Sequence, residues 1–385
     1  MTAPSVIEPL LAPFALRGMT VANRIAMAPM TRYFSPGGVP GDDVPGYYRR
    51  RAERGVGLVV TEGIGVAHPV SVDHPGVPVL HGDAPIAKWR AIVDGVHAAG
   101  AKILPQLWHQ GAMWNVEYAG DPRGMEAIRP SGIWGPADGI ISIAEASREK
   151  AAAVATRPMS DEDIQDVIDA YGVSARNALA AGFDGIAIHA AHGYLIDTFF
   201  WHETNRRADR FGGDHKARAT FGAEVLRTIR KVIGEDMPIV LRFSQFKMQD
   251  YRARLAETPD ELAALLGPLA DAGVDMFDGS QRYFDTPIFD DSPLNLAGWA
   301  KTLTGKAAMT VGGVGLGRAG GSAKHIDDSQ KSTDNLPQLV ARFEKGEFDM
   351  VAVGRSLLND PAWLEKAIAG ADFQPFDRAN LERLT

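Results

Sequence analysis

Two glycine turns near the C-terminus, Gly312-Gly-Val-Gly315 and Gly354-Arg355, expose backbone N–H groups, and Arg355 adds a guanidinium that can grip an oxyanion in bidentate fashion. Gln106 both donates and accepts, which suits the edge of a heterocycle, and Arg242 supplies a fixed cation. A ring with a phosphate tail and an anionic reduced form would satisfy all of these groups. A second cluster is His189-Ala-Ala-His-Gly-Tyr194. Two imidazoles at this spacing could ligate a metal, bind a ligand by hydrogen bonds, or be satisfied core residues. A metallohydrolase barrel would carry His-x-His on its first strand and further ligands, and residues 24–30 offer none. Tyr194 taken alone reads as structural.

Each of these residues sits at the end of a short, apolar, β-branched run. Eight runs, at 24–30, 57–61, 102–108, 185–189, 238–243, 276–279, 308–311 and 350–353, read as buried parallel strands. Helical spacing fills most intervals. Ile86, Trp89, Val93 and Val96 follow Asp83, and Ser160 caps a helix with Ile164, Val167, Ile168 and Tyr171 on one face. Thr258-Pro-Asp-Glu261 is a capping box, and Pro268 is expected to kink or break the helix it opens. Further helices are expected at 336–344 and 361–369. The alternation implies a parallel sheet, and eight strands favour closure into a TIM (β/α)8 barrel, whose ligands gather at the C-terminal strand ends. The segment before Asn23 reads as a hairpin plugging the opposite end. The interval 110–157, rich in Gly, Pro, Ala and Trp, is too long for a plain connection and reads as a lid inserted after the third strand, with 145–155 as a solvated helix or part of that lid. With no linker or repeat, residues 1–385 are expected to form a single domain.

Composition narrows the function. A formal charge of −8 and the lack of a basic cluster argue against nucleic acid. There are no cysteines, which excludes disulfides, thiolate nucleophiles and cysteine-ligated iron–sulfur clusters. Neither a signal-peptide pattern nor an apolar run of membrane-spanning length is present, so a cytoplasmic location without membrane association is expected.

Five segments carry a specific resemblance: Asn23-Arg-Ile-Ala-Met-Ala-Pro-Met-Thr-Arg32, Gln106-Leu-Trp-His, His189-Ala-Ala-His-Gly-Tyr-Leu-Ile196, Thr204-Asn-Arg-Arg-Ala-Asp-Arg-Phe-Gly-Gly213 and Val353-Gly-Arg355. In this order, at strand ends, they make the chain resemble the Old Yellow Enzyme family along nearly its whole length. The resemblance implies a bound FMN, NADPH or NADH as hydride donor, and reduction of an α,β-unsaturated carbonyl or nitro compound. Pro29, Met30 and Thr31 would lie beside the flavin. Gly63, Gln106 and Arg242 would contact its ring, and Gly312, Gly313, Gly354 and Arg355 would hold its phosphate. His189 and His192 would bind the substrate oxygen, Tyr194 would donate the proton, and Trp108 and Tyr283 would shape the substrate pocket.

One branch of the family has cysteine at the position of Thr31, and this chain resembles the other. Multidomain relatives that reduce dienoyl-CoA esters need an iron–sulfur cluster and a second flavin domain, and from the missing cysteines and the length neither is expected here. An oxidative amine demethylase or dehydrogenase on the same scaffold is the alternative activity, and a non-catalytic flavin store is a further one. An aldolase would need a strand-end lysine, which is lacking in these segments. Arg282 and Lys301 are candidates for a nucleotide 2′-phosphate. The remaining histidines read as surface or packing residues, with His109 a candidate for the pocket wall. Monomer and homodimer are both open.

Overall fold

The computed structural model describes residues 5–115, 117, 119, 125–136, 138–139, 156–317 and 335–385. A hairpin, β1 (Phe14–Leu16) and β2 (Met19–Val21), precedes eight parallel strands that close a barrel. These are β3 (Ile25–Met27), β4 (Leu58–Gly65), β5 (Lys102–Trp108), β6 (Ile186–His189), β7 (Ile239–Ser244), β8 (Met276–Ser280), β9 (Ala307–Val311) and β10 (Met350–Val353). Pairing of β10 with β3 completes the ring. All eight expected strands form, and they differ from expectation only at their ends. β3 stops early because Ala28 N–H is the last donor, to Val353 O at 2.9 Å, before Pro29, which has none. β4 continues to Gly65 through a register irregularity between Val60 and Gly63, so Thr61-Glu62-Gly63 lie inside the strand instead of after it.

Side chains alternate along each strand, and this alternation aims the site. Leu58, Val60, Leu104, Ala187, Val240, Met276, Met309 and Met350 face inward and pack with Leu16, Met19 and Val21 of the hairpin, which seals the N-terminal end as expected. Ile103, Ile188, Leu241, Phe277 and Val351 face outward and join the core beneath the helices. The same period carries Gln106, Trp108, His189, Arg242, Asp278 and Ser280 to the inner side near the C-terminal rim.

Around the barrel run α1 (Val44–Glu53), α2 (Asp83–Ala98), α3 (Asp161–Ala181), α4 (Leu195–Phe200), α5 (His215–Arg218), α6 (Thr220–Ile233), α7 (Pro259–Asp271), α8 (Leu296–Thr304), α9 (Leu336–Glu344), α10 (Arg355–Asn359) and α11 (Trp363–Ala369). The two expected capping residues are in place: Ser160 Oγ accepts from Asp163 N and Thr258 Oγ1 from Glu261 N, each at 3.2 Å. Pro268 does not break α7. It lies in the last turn, where its missing N–H removes a single bond, and its carbonyl accepts from Ala272 N–H at 3.0 Å. Among the described residues no helix is long and apolar enough to cross a membrane. The expected lid at 110–157 is described only in part, and the stretch 145–155 and His325 lie outside the described residues.

Candidate active site

A cavity of about 230 Å³ opens at the C-terminal ends of the strands, walled by Pro29, Met30, Arg242, Tyr283, Gly312, Gly313, Gly354 and Arg355. Its glycine turn is obligatory. Gly312 and Gly313 have φ of 127° and 65°, and a Cβ on Gly312 would lie 2.4 Å from Gln281 O. Arg355 is partly withdrawn from water, which lowers its pKa, so an anion in the cavity would stabilise its charge.

Arg242 stands between His189 and Asp278 in strand register. Its Nε donates to Asp278 Oδ2 at 2.6 Å, yet its Nη2 is buried with no hydrogen-bond partner. A buried guanidinium N–H without an acceptor is costly, and the ring carbonyl edge of FMN is a group that would satisfy it. Gly63 pairs with Gln106 in the neighbouring register. A Cβ on Gly63 would lie 2.5 Å from Trp108 Cε3, so glycine here lets the indole lie against the strand. On an inward face that also carries Gln106, and with the glycine turns beside it, this donor set fits a flavin mononucleotide.

An aromatic cluster lines the rim. The ring of Tyr194 meets Trp108 edge-on at 4.9 Å and His189 at 4.8 Å, and His189 lies 5.0 Å from His192. His189 Nδ1 is buried without a partner. His192 Nε2 and Ser280 Oγ share a hydrogen bond of 2.8 Å, and Phe246 stacks on the same imidazole at 5.0 Å. Burial, with the nearby Arg242 and Lys247 cations, pushes His192 down to about 3, and burial holds His189 well below its ordinary value. Both rings are therefore neutral near pH 7. Burial raises the Tyr194 phenol, which keeps its proton.

The turn bearing these groups is strained and held from beneath. His192 has φ of 64°, an uncommon conformation for a residue with a Cβ. Ser244 Oγ accepts from His192 N–H at 3.0 Å, and His192 O accepts from Met248 N–H at 3.1 Å. Asp197 Oδ2 accepts from Gly193 N–H at 2.7 Å, while its Oδ1 takes a 2.6 Å bond from Lys247 Nζ. Both partners of that ion pair are fully buried.

The other flank, Pro29–Arg32, is fixed by Glu62 and by the chain's last residues. Arg32 donates from its guanidinium to Leu381 O at 3.0 Å and Arg383 O at 2.8 Å. Glu62 accepts from Arg32 N–H at 2.9 Å and from Tyr48 OH at 3.3 Å. Burial nevertheless pushes its carboxyl up to about 7 from an ordinary 4.5. An acid that holds its proton more tightly when folded contributes stability that is full below the unfolded value and is lost as the pH rises through the folded one. The melting temperature should thus fall between about pH 4.5 and 7. Glu62→Gln, neutral throughout, should flatten that slope; an equal slope in both proteins would remove Glu62 as its source.

Of the residues expected from sequence, Pro29, Met30, Arg242, Tyr283, Gly312, Gly313, Gly354 and Arg355 share the cavity wall. Thr31, Trp108, His189, His192 and Tyr194 sit at or just after strand ends, and Gly63 and Gln106 lie within β4 and β5, none of them lining that cavity. Two expectations are corrected. Lys301 pairs with Asp349 at 2.8 Å, just before β10 begins, and so lies at the end of the barrel away from the rim. His109 is wholly buried and shares a 3.0 Å bond with His68, outside the pocket wall. Sequence reading missed Asp278, Ser280, Asp197 and Lys247. The first two could have been found by extending the inward alternation of β8, whereas the last pair meets across 50 positions and leaves no local signal.

A family model described as the NADH:flavin oxidoreductase / NADH oxidase family matches residues 9–373. The chain is 35% identical over 246 residues to putative 12-oxophytodienoate reductase 11 of Oryza sativa subsp. japonica, which covers 63% of this chain and 64% of that protein. It is 30% identical over 373 residues to a metal reductase of Desulforamulus reducens, covering 94% of this chain and 49% of that protein. The matches thus span less than two thirds of these curated relatives' lengths. Among solved structures, morphinone reductase in complex with tetrahydroNAD matches with a TM-score of 0.77 at 25% identity, over 97% of this chain and 93% of that one. The old yellow enzyme homologue from Zymomonas mobilis shares the fold, with a TM-score of 0.78 at 24% identity, over 98% of this chain and 97% of that one. This chain belongs to the NADH:flavin oxidoreductase / NADH oxidase family, that of the Old Yellow Enzymes.

Proposed function

We propose that this chain is an FMN-dependent ene-reductase for α,β-unsaturated carbonyl or nitro compounds. The observation that carries the reading is the convergence of two neutral imidazoles and a protonated phenol on one rim, beside a cavity whose buried Arg242 keeps its Nη2 without an acceptor. When bound, FMN supplies the hydride chemistry, taking hydride from NADPH or NADH and passing it to Cβ of the alkene.

In this reading Arg242, with Gln106 and Gly63, holds the ring edge, and the turns at Gly312-Gly313 and Gly354-Arg355 hold the phosphate. Pro29, Met30 and Thr31 lie along the ring. His189 and His192 donate hydrogen bonds to the carbonyl or nitro oxygen, where negative charge grows as Cβ receives hydride. Preorganised donors of this kind contribute roughly 3–4 kcal/mol each in comparable sites. Neutral rings suit the task, because they stabilise the developing charge without surrendering a proton to it. Tyr194 gives its phenolic proton to Cα, and solvent returns one to the phenolate. Trp108 and Tyr283 bound the substrate.

Reduction is favoured over oxidative demethylation because the matched proteins include 12-oxophytodienoate reductases and a chanoclavine-I aldehyde reductase. Lys247 does not revive an aldolase reading, since its ammonium is spent on Asp197 and on Ser244 O. The test is to reduce the holoenzyme anaerobically with NADPH while following the flavin band, then add 2-cyclohexenone. Bleaching followed by recovery of the oxidised spectrum is expected. Reduced protein that no activated alkene reoxidises, but whose flavin methylated amines reduce, would overturn the reading.

A further inference from the structure

Beside the first cavity, at the ends of β7 and β8, lies a second of about 410 Å³, and the two share Gln281, Arg282 and Tyr283. It adjoins the reaction site through Ser280 and Phe246, which line it and also contact the His192 ring. Its wall also carries Arg252, Arg254 and Arg282, with no carboxylate among the described residues that line it. That is a local excess of positive charge in a chain whose formal charge is −8.

The three arginines are not equivalent. Arg252 meets Asp250 at 3.5 Å and Arg254 meets Glu257 at 2.9 Å. Arg282 has no ion pair among the described residues, and its guanidinium lies 5.3 Å from the centre of the Tyr251 ring. That contact turns Arg282 toward the second cavity. Its neighbour Tyr283 covers the phosphate turn instead, where a Cβ on Gly313 would lie 2.9 Å from the tyrosine ring. A guanidinium held over an aromatic ring is preorganised and less hydrated, and its planar fork can grip two oxygens of an anion at once.

We propose that this second cavity is an anion subsite: a molecule whose reacting end lies at His189, His192 and Tyr194 sets a carboxylate or phosphate against Arg282. The identity of the reacting end rests on the ene-reductase reading; the anion contact does not. Two molecules could bring the charge, an acidic alkene or the 2′-phosphate of NADPH. The subsite belongs first to the alkene, because Ser280 and Phe246 of its wall also contact the ring of His192, the residue assigned to the substrate oxygen.

The experiment uses the oxidised holoenzyme and a matched pair, 6-(3-oxocyclohex-1-enyl)hexanoate and its methyl ester, titrated by calorimetry. The acid should bind about tenfold tighter than the ester at low salt, the scale of a charged hydrogen-bond pair, with the preference shrinking as salt is added. Arg282→Gln should bring the ratio to about one, and Arg282→Lys should restore part of it. The ratio cancels any damage common to both ligands. In parallel, the rates of flavin reduction by NADPH and NADH are compared. An Arg282→Gln protein that loses a preference for NADPH while keeping its preference for the acid would assign the anion to the nucleotide. No change in either ratio would overturn the subsite, as solvated surface arginines predict. Should no alkene reoxidise the flavin while the acid still outbinds its ester through Arg282, the ene-reductase reading falls and the subsite stands.

Discussion

Tyr194→Phe is expected to slow reoxidation of the reduced enzyme by 2-cyclohexenone about 10²–10⁴-fold, the usual contribution of a positioned general acid. Reduction by NADPH should change little, because hydride transfer from a nicotinamide needs no proton from the protein. Phenylalanine keeps the ring against Trp108 and His189, at 4.9 and 4.8 Å in the parent, so the substitution deletes a hydroxyl and little packing. Stopped-flow absorbance separates the two half-reactions. A loss shared equally between them would make Tyr194 a wall of the pocket, and no loss in either would move the proton donor elsewhere.

The second large effect concerns stability. Lys247→Met leaves the Asp197 carboxylate buried without its cation, and breaking a buried pair from one side costs about 3–5 kcal/mol. The urea midpoint should fall accordingly. The double variant Lys247→Met/Asp197→Asn removes both charges and keeps a side-chain oxygen for Gly193 N–H, so it should recover much of the loss. If the double variant is no better than Lys247→Met, the ion pair is not what Lys247 contributes. The pair sits directly under the turn with φ of 64° at His192, so a variant that refolds but shifts this turn should raise KM for the alkene more than it alters flavin reduction.

The sequence showed the barrel clearly because its signals are local. A β-branched run such as residues 102–108, a capping box at Ser160 or Thr258 and a glycine stop at Gly182 each act within a few residues. What escaped depends on distance or on competing cues. α1 opens with Val44-Pro-Gly46, which reads as a turn, and its buried Arg51 reads as surface until one sees it donate to Leu357 O. The Arg242–Asp278 pair was half visible: the arginine stood out at a strand end, while its partner looked like one acid among many. Gly312-Gly313 could be named, but that their neighbours exclude a side chain follows only from the approach of Gln281 and Tyr283.

The clasp on Arg32 also constrains the order in which the molecule can be made. The loop expected to flank the flavin is made well before the carbonyls that fasten it, which lie up to 351 positions later, and the barrel cannot close until β10 meets β3. The cofactor's seat is therefore incomplete until those later positions have been synthesised. Before then the expected flavin site lacks both the closed barrel and the clasp on its flanking loop, so binding of the prosthetic group has to follow the two.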